Sequence, residues 1–340
     1  MQEIARSVFT LDIQYDSQDH PIFVSGKRGD KRISALKEML DELSREQHVG
    51  SITLLSKLEM KRDELPAGRR RVLLVVGSYH EAKEAFLYLL EKHPEWEDQM
   101  AYLVSDDDEF ESEWRGRDPR LRRGLVNQFI KTGAWLLIAP LLAIERGHNI
   151  LNDEGKAALG AVYFLVRPHP RPDDIGYIIG SMNAWYMQKR KDTSWLLGHR
   201  KQTQPTLEEV TTMFRGQAYK EWRRLLRTPL IYSTLTGNDL SALIWSQLVM
   251  LWQVVGRLVR GGCAAQVIFC DAKFAPQTAK LEVDETERTS LLIGMRMVLQ
   301  PFFDSSSSFH SPRTKDLVHI LYGPLYQALE RMEKMYGQQF

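Results

Sequence analysis

Only two cysteines, Cys263 and Cys270, occur in 340 residues. Two thiols cannot build a disulfide framework or, unaided, a four-ligand zinc site, so both are expected as reduced core residues. Long hydrophobic runs are missing too. Stretches such as VLLVVG and AVYFLV fall far short of the roughly 20 apolar residues of a membrane helix, and no basic-then-apolar leader opens the sequence. A cytoplasmic location without membrane contact is expected. The formal net charge is only +1, so any nucleic-acid surface must come from local clustering of basic residues. The most consequential absence is a phosphate loop. SGKRGDK, residues 25–31, is the one place where such a loop could be suspected, yet no segment has the GxxxxGK[ST] spacing that lets consecutive backbone amides cradle phosphates. What is present is a composition 43% hydrophobic. At this length that suffices for one large domain or two smaller ones.

Residues 1–66 read as a lead-in: an extended stretch VFTLDIQYD, the turn-rich SGKRGDK, and a helix from Arg32 to about Arg45 with Leu36, Met39, Leu40 and Leu43 on one face. After the Pro/Gly break of LPAGRRR, RVLLVVG (71–77) is a continuous apolar run, the signature of a strand covered on both faces. Ser78 caps the next helix, whose apolar spacing is Ala82, Ala85, Phe86, Leu89, so strand, Gly-Ser turn and helix open a βαβ unit. Further strands are expected at 101–104, 135–139, 161–166 and 266–271. The acidic end of the first of these, Asp107, Asp108 and Glu109, imitates a magnesium-binding strand end. Without a phosphate loop there is no nucleotide for that ion to bridge, and a solvated acidic loop is the better reading. RPHPRPDD after the fourth strand is a rigid surface loop in which His169, Asp173 and Asp174 need not be metal ligands.

The most specific stretch is LWQVVGRLVRGG, residues 251–262. On a helix, Gln253, Arg257 and Arg260 fall within about 60° of one another while Val254, Val255, Leu258 and Val259 take the other side. An amide and two guanidiniums on a buried-backed helix suit phosphate oxygens, because arginine stays charged and binds bidentately. The pattern Gln253, Gly256, Arg257, Arg260 resembles motif VI of superfamily 2 helicases, carried by the second RecA-like lobe. QVIFCD (266–271) fits the strand that follows it in the DinG and XPD branch. VGSYHEAKEAF is similar to motif IV of that family, which implies nucleic-acid contact at Gly77 and Ser78. RRGLVNQFIKTGAWLLIAPLLAIERGHNI resembles the run into motif V, with Gly133 before the strand and Glu145, Arg146, Gly147, His148 and Asn149 after it. There the resemblance implies that Glu145, Gly147 and Asn149 couple to nucleotide and that Arg146 and His148 meet nucleic acid. Pro140 stands where many relatives have Thr, and Asn149 where they usually have Asp; a neutral Asn can hydrogen-bond but is no charged acceptor.

Between the fourth strand and this motif, residues 185–227 hold ten Lys/Arg against four acids, a net of +6, interleaved with six aromatics. Basic side chains with stacking rings suit single-stranded nucleic acid, and Lys189, Arg190, Trp222, Arg223 and Arg224 are the contacts expected. The competing reading is that the rings pack the insert while the charges are solvated. A helix near 285–299 and an amphipathic helix from Lys315 to about Tyr336 close the sequence.

The expected architecture is α/β: a RecA-like parallel sheet sandwiched by helices (67–275), with a basic helical insert (180–240) and a helical C-terminal extension (276–340). The resemblance implies the second lobe of an ATP-dependent helicase or translocase. Arg260 would be its arginine finger, Arg257 a second γ-phosphate contact, and Gln253 and Gly256 part of the nucleotide-facing helix. ATP and Mg²⁺ would bind only with a first lobe carrying Walker A and B, from another chain or from a part of the gene not included here. A non-catalytic nucleic-acid-binding or adaptor protein on a degenerate lobe is the alternative. A nuclease is disfavoured, because LEVDETE (281–287) is the only faint carboxylate cluster.

Overall fold

The computed structural model describes residues 6–49, 52–108, 118–144, 149–169, 175–191, 206–227, 231–281, 284–304 and 311–337. Seven parallel strands form the main sheet. They are β1 (Val8–Leu11), β4 (Arg71–Val76), β5 (Met100–Val104), β6 (Arg120–Arg122), β7 (Leu136–Pro140), β8 (Leu159–Phe164) and β9 (Gln266–Phe269), in the order β1-β9-β8-β4-β7-β5-β6. The short strands β2 (Gln47–Val49) and β3 (Ile52–Leu54) pair antiparallel apart from it. The apolar runs form the centre because parallel strands covered on both faces cannot alternate with polar residues. In β5, β7 and β8 every residue is buried.

The helices are α1 (Gly29–Ser44), α2 (Lys57–Glu64), α3 (Tyr79–Lys92), α4 (Leu141–Ile144), α5 (Ile175–Lys191), α6 (Leu207–Arg227), α7 (Gly237–Leu258), α8 (Pro276–Lys280), α9 (Leu291–Phe303) and α10 (Pro312–Gly337). One face of the sheet, with Val72, Leu74, Leu136, Ile138 and Tyr163, packs against Leu36, Met39 and Leu40 of α1 and Ala82, Phe86 and Leu89 of α3. On the opposite face Phe9 stacks on Trp252 of α7, which meets Tyr322 of α10, and Phe269 bridges Phe164 and Phe274. Helices on both faces of a parallel sheet, a helical insert and a helical tail are the architecture expected of a RecA-like lobe.

The chain divides into two compact units, Met1–Pro168 with Gln247–Phe340, and His169–Ser246. The lead-in and the C-terminal extension therefore fold with the sheet. β1 completes its edge by pairing with β9, a role its burial pattern of alternate residues permits. The approach to β7 is a tight one. Residues Arg123–Thr132 form a 3₁₀ helix anchored by fully buried Phe129, and Gly133 ends it at φ +74°, a left-handed conformation that glycine adopts at no steric cost. Among the described residues one helix, α7, is long and apolar enough to cross a membrane, and half of that apolar window is buried in the protein.

Gly160 shows how tightly β8 sits. A Cβ there would lie 2.5 Å from the Arg69 carbonyl oxygen and under 3 Å from both Leu65 methyls. Because the first obstacle is backbone, Gly160→Ala should destabilise by about 1–3 kcal/mol, the usual range for overpacking. At Gly77 a Cβ would meet only the end of the Arg32 side chain, at 2.5 Å, and the Glu81 carboxylate. Gly77→Ala should therefore cost less than Gly160→Ala, and denaturant unfolding of the two variants checks that order.

Candidate functional site

The motif around Gln253 lies at the end of α7, and the structure treats its members differently. The helix stops at Leu258, two residues before Arg260, because Gly261 and Gly262 take φ of +75° and +79°. Arg260 thus stands in the turn beyond the helix. Its carbonyl accepts the Ala157 N–H at 3.0 Å, and its side chain is exposed. Gly261 is pressed so close to Lys156 that a Cβ would come within 2.9 Å of that residue's Cα. The turn is fixed, while the Arg260 guanidinium has no ion pair or hydrogen bond to any described residue. Gln253 is exposed, and nothing lies within 4 Å of the position a Gly256 Cβ would take.

Arg257 corrects the expectation that both guanidiniums face outward. It is buried, and its Nε donates to the Ile144 carbonyl at 2.6 Å. Ile144 ends α4, so Arg257 ties α7 to the start of the segment expected to couple nucleotide and nucleic acid. Glu145, Arg146, Gly147 and His148 lie outside the described residues; Asn149 is exposed.

The end of α7 depends on a residue that sequence reasoning passed over. Arg69 is buried, donating to the carbonyls of Ala157 (2.9 Å), Leu159 (2.9 Å) and Leu258 (2.6 Å) and also to that of Ala264. A helix leaves its last carbonyls without intrahelical donors, and a cation there is also favoured by the helix dipole. One guanidinium therefore fixes the end of α7, the entry to β8 and the loop before β9.

The turn after β4 is closed from within. Ser78 caps α3 by accepting the Glu81 N–H at 3.1 Å and donates to Glu81 Oε1 at 3.2 Å, while the Gly77 N–H donates to Glu81 Oε2 at 2.9 Å. Arg32 of α1 completes the knot, with Nε 2.8 Å from Glu81 Oε1. The groups expected at a nucleic-acid backbone are engaged by Glu81 in this structure.

In the second unit, Trp185 and Tyr186 of α5 pack around Phe214 of α6, with ring centroids 5.5 and 6.1 Å apart. A cavity of about 560 Å³ is lined by Trp185, Lys189, Glu221, Arg224 and Asp239 among others. Arg224 is held by two carboxylates: it reaches Glu221 at 2.7 and 2.9 Å and Asp239 at 2.6 and 2.9 Å. Glu221 and then Asp239 push its pKa up, and their charges offset its own. Arg223 instead lies over the Tyr219 ring, 5.3 Å from the centroid, and is exposed, as are Arg190 and Trp222. Cys263 and Cys270 are buried thiols, and burial raises the pKa of Cys270. Comparison with protein-family models and with curated proteins finds no match for this chain.

Proposed function

We propose that this chain is the second RecA-like lobe of an ATP-dependent nucleic-acid helicase or translocase, nearest the DinG and XPD branch, and that it completes an ATP site begun by a first lobe. The observation that carries the reading is Arg260, a guanidinium on a turn held by Ala157 and Gly261, with no described partner, at the exposed end of a helix that also presents Gln253 and Gly256. A helix-interior glycine costs roughly 1 kcal/mol relative to alanine. The open space over Gly256 suits a backbone left clear for an incoming surface. Arg260 and Gln253 fit the outer oxygens of a triphosphate. Because the sequence carries no GxxxxGK[ST] phosphate loop, the first lobe would hold Mg²⁺ and the β-phosphate. On this reading single-stranded nucleic acid is the partner, the location is cytoplasmic, and no membrane is involved.

The second reading, a non-catalytic nucleic-acid-binding or adaptor protein, is favoured by the internal use of Arg257, Ser78 and Arg224. ATP turnover separates the two. Turnover by the chain combined with the polypeptide bearing the phosphate loop, and not by either alone, supports the helicase lobe; continued inactivity of the combination supports the adaptor.

Nucleic-acid binding by the insert has its own test. If about four of its basic residues meet phosphates, log affinity for single strands should fall against log salt with a slope near −3. Because Arg224 is neutralised by its carboxylates, Arg223→Glu should weaken binding and flatten the slope. Trp222→Ala should remove about 1–3 kcal/mol if the ring stacks on a base. A Trp222→Ala variant that melts earlier, together with an Arg223→Glu variant of unchanged affinity and slope, would make the insert a packing element.

A further inference from the structure

The carboxyl ends of β4, β8 and β9 carry a second cluster that the motif at α7 does not use. From β4 the chain passes through α3 toward β5 on one side, whereas β8 is followed in the sheet by β9 on the other. Such a divergence of connections is where open α/β sheets take ligands. Beside it, at the ends of β8 and β9, is held the loop SGKRG, residues 25–29. Asp271, fully buried at the end of β9, accepts the N–H groups of Val24 (3.1 Å), Ser25 (2.8 Å) and Lys273 (2.7 Å), and Ser25 Oγ accepts the Arg167 N–H at 2.7 Å. The loop is therefore fastened across two strand ends, and its cations are gathered by the fold.

Lys27 and Lys273 place their ammoniums 4.5 and 4.4 Å from the centroid of one ring, Phe23. Arg167 reaches the same corner, its Nη1 donating to the Lys273 carbonyl at 3.2 Å. Neither Lys27 nor Lys273 has an ion-pair partner among the described residues, and the Asp271 carboxylate is occupied by backbone amides. Partial burial, and after it the charge of Arg167, pull the Lys273 pKa down; Asp271 acts the other way, and Lys280 and Lys27 add to the fall. Lys27 and Lys273, with Arg167 beside them, outnumber Asp271, the acid whose charge acts on Lys273, and an anion placed among the cations relieves the repulsion that remains. Arg28 enters α1 with no side-chain cap, which leaves the first amides of that helix without a side-chain acceptor from the cap position. The cations define the site; the helix start adds to it.

We propose that Lys27, Lys273 and Arg167, at the carboxyl ends of β8 and β9, form a phosphate-binding site distinct from Arg260 and from the basic insert. The ligand class is a phosphate group, from a mononucleotide or from a polynucleotide backbone. This site does not depend on the helicase reading.

The test is binding of three probes, inorganic phosphate, ADP and a 15-residue oligothymidylate, to the intact chain and to K27Q/K273Q, at fixed ionic strength in chloride. Phosphate should raise the melting temperature of the unaltered protein, and the double variant should lose that rise and bind the best probe at least tenfold more weakly. K27R/K273R, which keeps both charges, should retain binding. Without ligand, K27Q/K273Q should melt no earlier than the parent, since it removes repulsion. If K27Q/K273Q weakens ADP more than oligothymidylate, a mononucleotide is the source of the phosphate, and the reverse names a polynucleotide; both support the site. Equal binding of all three probes by parent and K27Q/K273Q, or no binding by the parent, overturns it. K131Q, which removes an exposed lysine at the end of the 3₁₀ helix, is the control and should leave the phosphate response unchanged.

Discussion

Arg69→Ala is expected to destabilise the sheet unit by about 3–5 kcal/mol, because several hydrogen bonds from a charged donor, each worth roughly 1.5–3 kcal/mol, are lost with only partial relaxation. The Arg69 guanidinium donates to four backbone carbonyls on three separate segments. Without it these acceptors are left in a buried place, and each unsatisfied group costs roughly 1–3 kcal/mol before water enters or the loop relaxes. A loss of this size is a large share of the roughly 5–15 kcal/mol by which domains are stable. Arg69→Lys should recover only part of it, because a single ammonium cannot reproduce the planar fork. Since the chain holds two units, a single unfolding transition would mix them. Hydrogen exchange at the β4 and β8 amides reports the sheet alone. A change below about 1 kcal/mol at those amides would show that the four carbonyls find other donors and that Arg69 is not what fixes the end of α7.

The parts of this fold that were legible in the sequence are those whose cause is local. β4, β7, β8 and β9 announce themselves because a strand covered on both faces must be apolar at successive residues, and Ser78 caps α3 as its position before an amphipathic run implies. What stayed hidden depends on partners far along the chain. Arg69 sits in LPAGRRR, which reads as a break, and its acceptors lie 88 to 195 residues away. The short β1 belongs to the sheet only through β9, more than 250 residues later. The pairing of Arg224 with Glu221 follows helical spacing, but Asp239 does not, and it is the second carboxylate that completes the neutralisation of Arg224.

The candidate site divides in the same way. A helical projection puts Gln253, Arg257 and Arg260 together only if the helix continues, and Gly261-Gly262 ends it at Leu258. That pair of glycines is a C-terminal signal in its own right, and it stops the helix inside the motif. Arg257 turns inward because the Ile144 carbonyl, 113 residues earlier, needs a donor. Lys27, Arg167 and Lys273 meet only through the order of β8 and β9, so SGKRGDK fails as a phosphate loop by spacing while its lysine still joins a cluster of cations.

The helicase-lobe reading rests on Arg260, and its loss carries the largest kinetic effect expected. An arginine finger stabilises charge on the transferred phosphoryl group only in the transition state, so removing it lowers turnover and leaves nucleotide binding nearly unchanged. The scale is about 10³ to 10⁵ in rate, or roughly 4 to 7 kcal/mol. Arg257→Ala should act differently: its side chain holds the Ile144 carbonyl, so loss of stability should accompany loss of rate. The decisive measurement is steady-state ATP turnover by this chain alone, by the chain combined with the polypeptide that bears the phosphate loop, and by the same combination carrying Arg260→Ala. The account predicts no turnover from the chain alone, turnover from the combination, and a fall of at least a thousandfold with Arg260→Ala at unchanged melting temperature. Steady turnover by the pure chain, or a fall of less than tenfold in the combination, would contradict it.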